Sequence, residues 1–232
     1  MTEQIHVARH YRPVVPSESE LSYPTLSQPY PLIRTLRPGD VDAIADILAS
    51  SFHPQAGLGG WLYPLLRLGI REDLKSRLNQ RASTYVCLVA LQRAEATLDS
   101  SPSAAATEPS TDGMQRVDQP VGTVEMTLRS PTTPIWQTFG RRYPYVSNLA
   151  VAQAGRRKGV AERLLRSSEQ VALSWGYRDV YLHVLENNEP ARSLYTKLGY
   201  ETVRVEPDFI SGLLGQPRQI LLHKPLVNPQ SA

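Results

Sequence analysis

The sequence predicts an α/β (α+β) fold in which helices flank a central sheet, and two stretches indicate it most directly. The first is an apolar strand candidate at residues 145–151, which leads through a short basic turn into an amphipathic helix candidate at about residues 157–175. The second is a strand, a helix and a strand at residues 180–185, 189–198 and 200–205. The hydrophobic period changes between about two and about 3.6 residues along these stretches, which separates strands from helices.

The first half of the chain predicts three strands and two helices. Residues 32–36 form the first strand, and a helix follows with Asp40 as its N-cap. The apolar face of that helix carries Ile44, Ile47, Leu48 and Phe52. Residues 61–80 predict the second helix, and residues 85–91 and 121–128 predict the next two strands.

The helix candidate at residues 157–175 has the clearest helical spacing. Its apolar positions are Val160, Leu164, Leu165, Val171, Ala172 and Trp175. Gly176 stands just after its end, where a residue in the left-handed conformation is common. Residues 219–222 predict a last strand, which completes the order β-α-α-β-β-β-α-β-α-β-β.

The composition indicates one folded domain with flexible additions. Residues 1–30 and about 94–119 are rich in proline, serine and other polar residues and lack aromatic or β-branched clusters, so we expect both to be flexible. Residues 31–226 form the domain and can bury a single core, and residues 227–232 form a short tail. The insertion predicts a long loop between two antiparallel strands, where disorder or binding of a partner is expected.

The single cysteine and the absence of long apolar runs limit the cellular setting. Cys87 lies in an apolar run and is expected to be a small core residue rather than a catalytic thiol. One cysteine forms no internal disulfide, and no His/Cys cluster has metal-ligand spacing, so we expect no metal. With no membrane-spanning run and no signal-peptide pattern, we expect the cytoplasm, or the plastid stroma if the source is a photosynthetic eukaryote.

The turn ahead of the regular helix predicts an anion site. The net charge of the chain is only +3, but residues 141–166 hold seven Lys or Arg and one Glu, a local charge of +6. The free N–H groups and the dipole of a helix start also favour an anion. Gly159 allows close approach of a ligand or of backbone. Neither the P-loop motif nor the Gly-x-Gly-x-x-Gly dinucleotide motif is present.

Two segments resemble the signatures of the GCN5-related N-acetyltransferase (GNAT) superfamily. Arg156-Arg-Lys-Gly-Val-Ala161 resembles its Arg/Gln-x-x-Gly-x-Gly/Ala turn, and residues 183–200 resemble its second signature through Asn188, Tyr195 and Gly199-Tyr200. The resemblance covers roughly residues 32–92 and 120–226. It implies a mixed, mostly antiparallel sheet of about seven strands that is splayed between the fourth and fifth strands.

The resemblance implies acetyl-CoA as co-substrate. The coenzyme phosphates would lie on Arg156, Arg157, Lys158, Gly159, Val160 and Ala161. The pantetheine arm would pair with the backbone of Asn148, Leu149, Ala150 and Val151. Asn188 would help to hold the coenzyme, although an asparagine at a helix start also suits an N-cap. Because the coenzyme accounts for the basic turn, we expect no nucleic-acid partner and no membrane partner.

The resemblance also implies three catalytic residues. Transfer needs a neutral amine, whereas most amines are protonated at neutral pH, so a base is required. His183 stands where the protein N-terminal acetyltransferases carry that base, and Tyr145 matches a tyrosine that shares the role in one branch. Tyr195 matches the tyrosine that protonates the leaving thiolate. The alternatives are a hydrogen-bonded histidine in the sheet and an aromatic residue in the core.

The sequence does not identify the amine that accepts the acetyl group. The chain is similar to the plastid and cyanobacterial branch, whose members acetylate protein N-termini and lysine side chains, some being assigned to arylalkylamines such as serotonin. We expect the acceptor walls at residues 52–63, 206–215 and 131–142. Three hypotheses remain: an enzyme acting on protein amines, an enzyme acting on small arylalkylamines, and a non-catalytic coenzyme-binding scaffold. The chain is expected to be a monomer or a homodimer.

Overall fold

The computed structural model describes residues 31–52, 63–80, 83–93, 118–130, 142–205 and 217–226. The strands and α-helices of these residues follow the predicted order, which confirms the expected fold class. Their bounds are β1 (Leu32–Thr35), α1 (Val41–Phe52), α2 (Tyr63–Gln80), β2 (Tyr85–Arg93), β3 (Asp118–Arg129), β4 (Tyr143–Val151), α3 (Val160–Ser174), β5 (Asp179–Leu185), α4 (Glu189–Lys197), β6 (Glu201–Val205) and β7 (Gln219–Pro225).

The seven strands form one sheet in the order β1-β2-β3-β4-β5-β7-β6. Strands β4 and β5 run parallel, whereas the other neighbouring strands are antiparallel. The parallel pairing is short, since it joins only Tyr145 to Tyr181 and Val146 to Leu182. The rest of β4 remains paired with β3, so the sheet opens between β4 and β5. The predicted splay is confirmed.

Each face of the sheet buries its own core. Helices α3 and α4 cover one face, where Met126, Leu165 and Leu182 are almost completely buried. Helices α1 and α2 cover the other face, where Ile44 and Val89 are fully buried. The alternation of side chains along the strands therefore decides which residues face α1 and α2, and the candidate site lies on that face.

Two helix starts differ from the prediction. Helix α3 begins at Val160, not near residue 157, because Arg157 and Gly159 have left-handed φ values of 62° and 74°. Asp40 is not the N-cap of α1, because it closes a preceding 3₁₀ turn (Pro38–Asp40). Its carboxylate accepts hydrogen bonds from the Arg37 backbone N–H at 2.8 Å and from the Arg34 guanidinium at 2.6 Å.

The predicted flexible segments fall mostly on residues that the structure does not describe. Residues 1–30, 94–117 and 227–232 lie outside the described residues. Strand β3 begins at Asp118, so it includes the last two residues of the predicted insertion and places Asp118 opposite Arg93 of β2. None of the described helices combines the length and the apolar composition needed to cross a membrane.

Candidate active site

The structure brings Tyr145 and His183 together where β4 and β5 separate. The Tyr145 hydroxyl lies 2.8 Å from His183 Nδ1, and the ring centroids are 5.7 Å apart. Tyr145 pairs with Tyr181, so two residues further along β5 the chain places His183 on the same face of the sheet. The neighbours of His183 on β5, Leu182 and Val184, are buried in the opposite core, as the alternation predicts.

The surroundings of Tyr145 keep its phenol protonated at neutral pH. Burial raises the pKa of Tyr145, and the positive charge of Arg129 opposes that rise only in part. The Arg129 guanidinium lies over the Tyr145 ring, 3.4 Å from its centroid. The sequence analysis missed Arg129, because its position beside Tyr145 depends on the β3–β4 register, in which Arg129 pairs with Tyr143.

Tyr195 approaches the same gap from the other face of the sheet. Its side chain is buried in the core between α4 and the sheet, and its ring meets the edge of Tyr200 at 5.7 Å. Burial, with a smaller contribution from the nearby Tyr145, raises the pKa of Tyr195 to about 12. Tyr195 is therefore a core aromatic residue whose phenol holds its proton, and a protonated phenol can donate to a leaving thiolate.

The basic turn presents backbone N–H groups at the start of α3. In the part of the chain that the structure describes, no backbone carbonyl accepts a hydrogen bond from the N–H groups of residues 157–162. The first helical bond runs from the Arg163 N–H to the Gly159 carbonyl at 3.0 Å. These N–H groups and the exposed Arg157 and Lys158 fit a phosphate group. Arg156 instead donates from Nε to the Val151 carbonyl at 3.2 Å and so fixes the turn to the end of β4.

Two glycines that the sequence analysis missed hold this turn against the sheet. A Cβ atom on Gly122 of β3 would lie 3.1 Å from the Ala150 carbonyl oxygen and 3.1 Å from side-chain carbons of Val160 and Leu164. A Cβ atom on Gly155 would lie 3.2 Å from Val121 and Val151. A glycine inside a strand pattern, as at Gly122, is the signal that could have identified the close approach.

The backbone predicted to pair with the pantetheine arm lies along the open edge of β4. The β3–β4 register shifts between Thr123 and Glu125, and Asn148 takes a left-handed φ of 52° at this bulge. Beyond the bulge, Ala150 and Val151 pair with β3, and no described strand pairs with their other side. An extended chain of amide groups fits such an edge.

Asn188 has the N-cap position that the sequence predicts. Its Oδ1 accepts a hydrogen bond from the Ala191 backbone N–H at 3.3 Å, and the residue is exposed at the start of α4. Its contact with the coenzyme stays a prediction. Capping uses only the side-chain oxygen Oδ1, so the side-chain amide nitrogen can still donate a hydrogen bond to a ligand.

Glu125 is a further functional candidate that the sequence does not predict. This β3 residue is only 1% exposed and lies on the same face as Tyr145. Burial raises the pKa of Glu125, and Asn148 and Arg77 oppose the rise. A charged residue within the apolar stretch 121–128 was the available signal, since buried charges are rare without a partner.

Cys87 lies beside Glu125 and is a core residue, as expected. Burial, together with the nearby Glu125 carboxylate, raises the pKa of its thiol to about 12, so the thiol stays protonated. Its sulfur lies 3.3 Å from Thr123 Oγ1. Most of the predicted acceptor walls, residues 53–62, 131–141 and 206–215, lie outside the described residues.

Comparisons with known proteins agree with this fold. A family model described as Acetyltransferase (GNAT) family matches residues 88–200. The chain is 30% identical to GCN5-related N-acetyltransferase 10, chloroplastic, of Arabidopsis thaliana over 214 residues, which are 90% of this chain and 77% of the relative. It is 37% identical over 65 residues to the N-alpha-acetyltransferase of Saccharolobus solfataricus, covering 28% of this chain and 39% of the relative. The crystal structure of Arabidopsis thaliana NAA60 in complex with a bisubstrate analogue shares the fold with a TM-score of 0.54 and 20% identity, over 84% of this chain and 98% of the other.

Proposed function

Because this chain belongs to the GNAT acetyltransferase family and is an acetyl-CoA-dependent N-acetyltransferase, we propose that it acetylates protein amines, at N-terminal α-amino groups, lysine side chains or both. The observation that carries the proposal is the contact between the Tyr145 hydroxyl and His183 Nδ1 at the opening between β4 and β5. A paired phenol and imidazole at this place can remove the proton that keeps an amine unreactive.

Tyr145 and His183 act as one base in this proposal. The phenol oxygen of Tyr145 takes a proton from the acceptor ammonium, directly or through a water molecule, while its own proton passes to His183 Nδ1. Because the two transfers occur together, no phenolate forms, which agrees with the raised pKa of the buried Tyr145. The positive charge ends on the imidazole, which is half-buried and can release its proton to solvent.

The coenzyme, when bound, supplies the acetyl thioester that the amine attacks. Tyr195 donates its proton to the departing sulfur, which its raised pKa allows, because the phenol remains protonated at neutral pH. The phosphate groups are held by the N–H groups of residues 157–162 and by the basic side chains of the turn. The edge of β4 at residues 148–151 orients the arm, and Asn188 binds it from α4.

The named relatives support the acceptor class and a location. The relative from Saccharolobus solfataricus is named for action on α-amino groups, which supports protein N-termini as acceptors. The long Arabidopsis thaliana relative is named as chloroplastic, which supports the plastid as the location of this chain. A fluorescent fusion of the full chain tests that location, and exclusion from plastids contradicts it.

A small arylalkylamine is the second candidate acceptor, and an aromatic cluster next to Tyr145 is able to bind one. Tyr143 meets Tyr181 edge-on at 5.3 Å, and Tyr181 stacks on His223 at 4.6 Å. Aromatic rings bind an aromatic acceptor in these same arrangements. The cluster suits an aromatic peptide side chain equally well, so the two acceptor classes need a direct comparison.

Labelled acetyl-CoA incubated with the enzyme and a proteome tests the proposal. Mass spectrometry should find the label on protein N-termini or lysine side chains, and this labelling should fall in a Tyr145→Phe, His183→Ala double variant. A parallel assay compares kcat/KM for a panel of unblocked peptides with that for tyramine and serotonin. Higher kcat/KM for the small amines, with no enzyme-dependent protein label, contradicts protein acetylation.

A further inference from the structure

The Glu125 carboxylate is buried without a hydrogen bond among the described residues. Neither Oε1 nor Oε2 has a hydrogen-bond partner there, and the hydroxyl of the neighbouring Tyr85 also lacks one. Arg77 is a cation beside Glu125, and its Nη1 lies 3.6 Å from Oε2, longer than a hydrogen bond. A buried carboxylate in this state destabilises a fold unless a partner completes it, and a bound ligand can be that partner.

The charges around Glu125 leave room for one more cation. Arg77 also donates to Asp73 from Nε at 2.7 Å, so a single guanidinium faces two carboxylates. Among the described residues, the other groups that interact with Glu125 include the Asn148 side chain, the Tyr85 phenol and the Cys87 thiol, and none of these three carries a positive charge. A cationic ligand would balance the second carboxylate.

A cavity of about 220 Å³ borders Glu125. It lies between α1, α2 and the sheet and is lined by Leu48, Gly69, Ile70, Asp73, Leu74, Glu125 and Asn148. Its walls are mainly apolar, with the carboxylates as polar groups. A volume of this size is about seven times the ~30 Å³ share of one water molecule, so it admits a short side chain or an alkylamine.

Glu125 is also close to the paired base. In the antiparallel β3–β4 pairing, Glu125 lies opposite Ser147 and Thr127 lies opposite Tyr145. Glu125 and Tyr145 are thus diagonal neighbours on one face, a position in which Cβ atoms lie about 7–8 Å apart. A cation bound at Glu125 is therefore close to the Tyr145–His183 pair.

We propose that Glu125 is the residue that binds the ammonium group of the acceptor before Tyr145 and His183 deprotonate it. This inference rests on the proposed function. It assigns to Glu125 the selection of a primary ammonium over neutral nucleophiles of the same shape. The cavity beside Glu125 receives the carbon chain next to that ammonium. Asp73 and Arg77 set the local charge, and Glu125 makes the direct contact.

Binding without transfer tests this inference. The probe is the amine of highest kcat/KM from a fixed panel of unblocked peptides, tyramine and serotonin, and its comparator is the same molecule with a hydroxyl in place of the amino group. Calorimetry gives Kd for both with CoA in place of acetyl-CoA. The wild-type protein should prefer the amine by about tenfold or more, as a hydrogen bond to a charged group predicts. Glu125→Gln should reduce that preference to less than about threefold, with the Kd for CoA unchanged.

Glu169→Gln is the matched control. Glu169 is another buried glutamate, but Tyr200 Oη at 3.1 Å and Lys224 Nζ at 2.7 Å already satisfy it on the opposite face. Its substitution should lower Tm and keep the amine preference, whereas Glu125→Gln should lose the preference without a fall in Tm. An unchanged preference in Glu125→Gln refutes the role of Glu125 alone. A wild-type enzyme that acetylates no amine of the panel refutes the proposed function and this inference together.

Discussion

Substitution of Tyr145 and His183, singly and together, measures whether they work as one base. A general base contributes about 10²–10⁴ in rate. The 2.8 Å contact lets each residue support the other, so each single substitution should act at the low end of that range. We expect Tyr145→Phe and His183→Ala each to lower kcat about 10²-fold, equivalent to about 2.7 kcal/mol at 1.36 kcal/mol per tenfold. The double variant should lose little more than either single one, because residues that act as a unit are not additive.

The assay is steady-state kinetics across pH with an amine of known pKa. An imidazole base gives an acidic limb near pH 6–7 in kcat, which should disappear in His183→Ala. Tyr195→Phe is the control, because it should lower kcat and keep that limb. Near-normal kcat in His183→Ala with an unchanged limb would make His183 a structural residue. Losses that multiply in the double variant, to about 10⁴-fold, would refute the single-base reasoning.

Three further expectations concern the coenzyme, the pH dependence of stability and the insertion. The double change Arg156→Ala, Gly159→Ala should weaken acetyl-CoA binding at least about tenfold, or 1.4 kcal/mol, by calorimetry, since it disturbs a left-handed position and the anchor of the turn. Glu125→Gln should raise the free energy of unfolding at pH 7. The raised pKa of Glu125 makes the stability of the wild-type protein fall as pH rises above about 4.5. In denaturant titrations, the difference in unfolding free energy between the variant and the wild type should therefore vanish below that pH. Replacing residues 94–117 by a short Gly/Ser turn should leave turnover within a few-fold of the wild-type value. Arg93 and Asp118 already pair, and the entropic cost of closing a loop depends only weakly on its length. A shortened protein that no longer folds would contradict this expectation.

The sequence predicts those features that depend on neighbours along the chain. The period of apolar residues and the turn at Gly159 were enough to identify α3, and the alternation along β5 placed His183 on the face opposite Leu182. Arg129 and Glu125 acquire their roles from the neighbouring strand, and a single sequence does not contain that register. The late start of α3 could not be predicted either, because Arg157 takes a left-handed conformation that its residue type rarely adopts.

The short pairing of β4 with β5 means that the sheet has an edge in its interior. Its strands form two subsheets, β1 to β4 and β5 to β7, that share two residue pairs in a seven-strand array. An exposed strand edge is a surface where a foreign strand can add, and most proteins protect it with charge, proline or a covering segment. In the binding mode proposed above, the coenzyme would cover this edge during each turnover. The folded fraction of the enzyme and its resistance to strand-mediated aggregation should then rise with the concentration of the coenzyme.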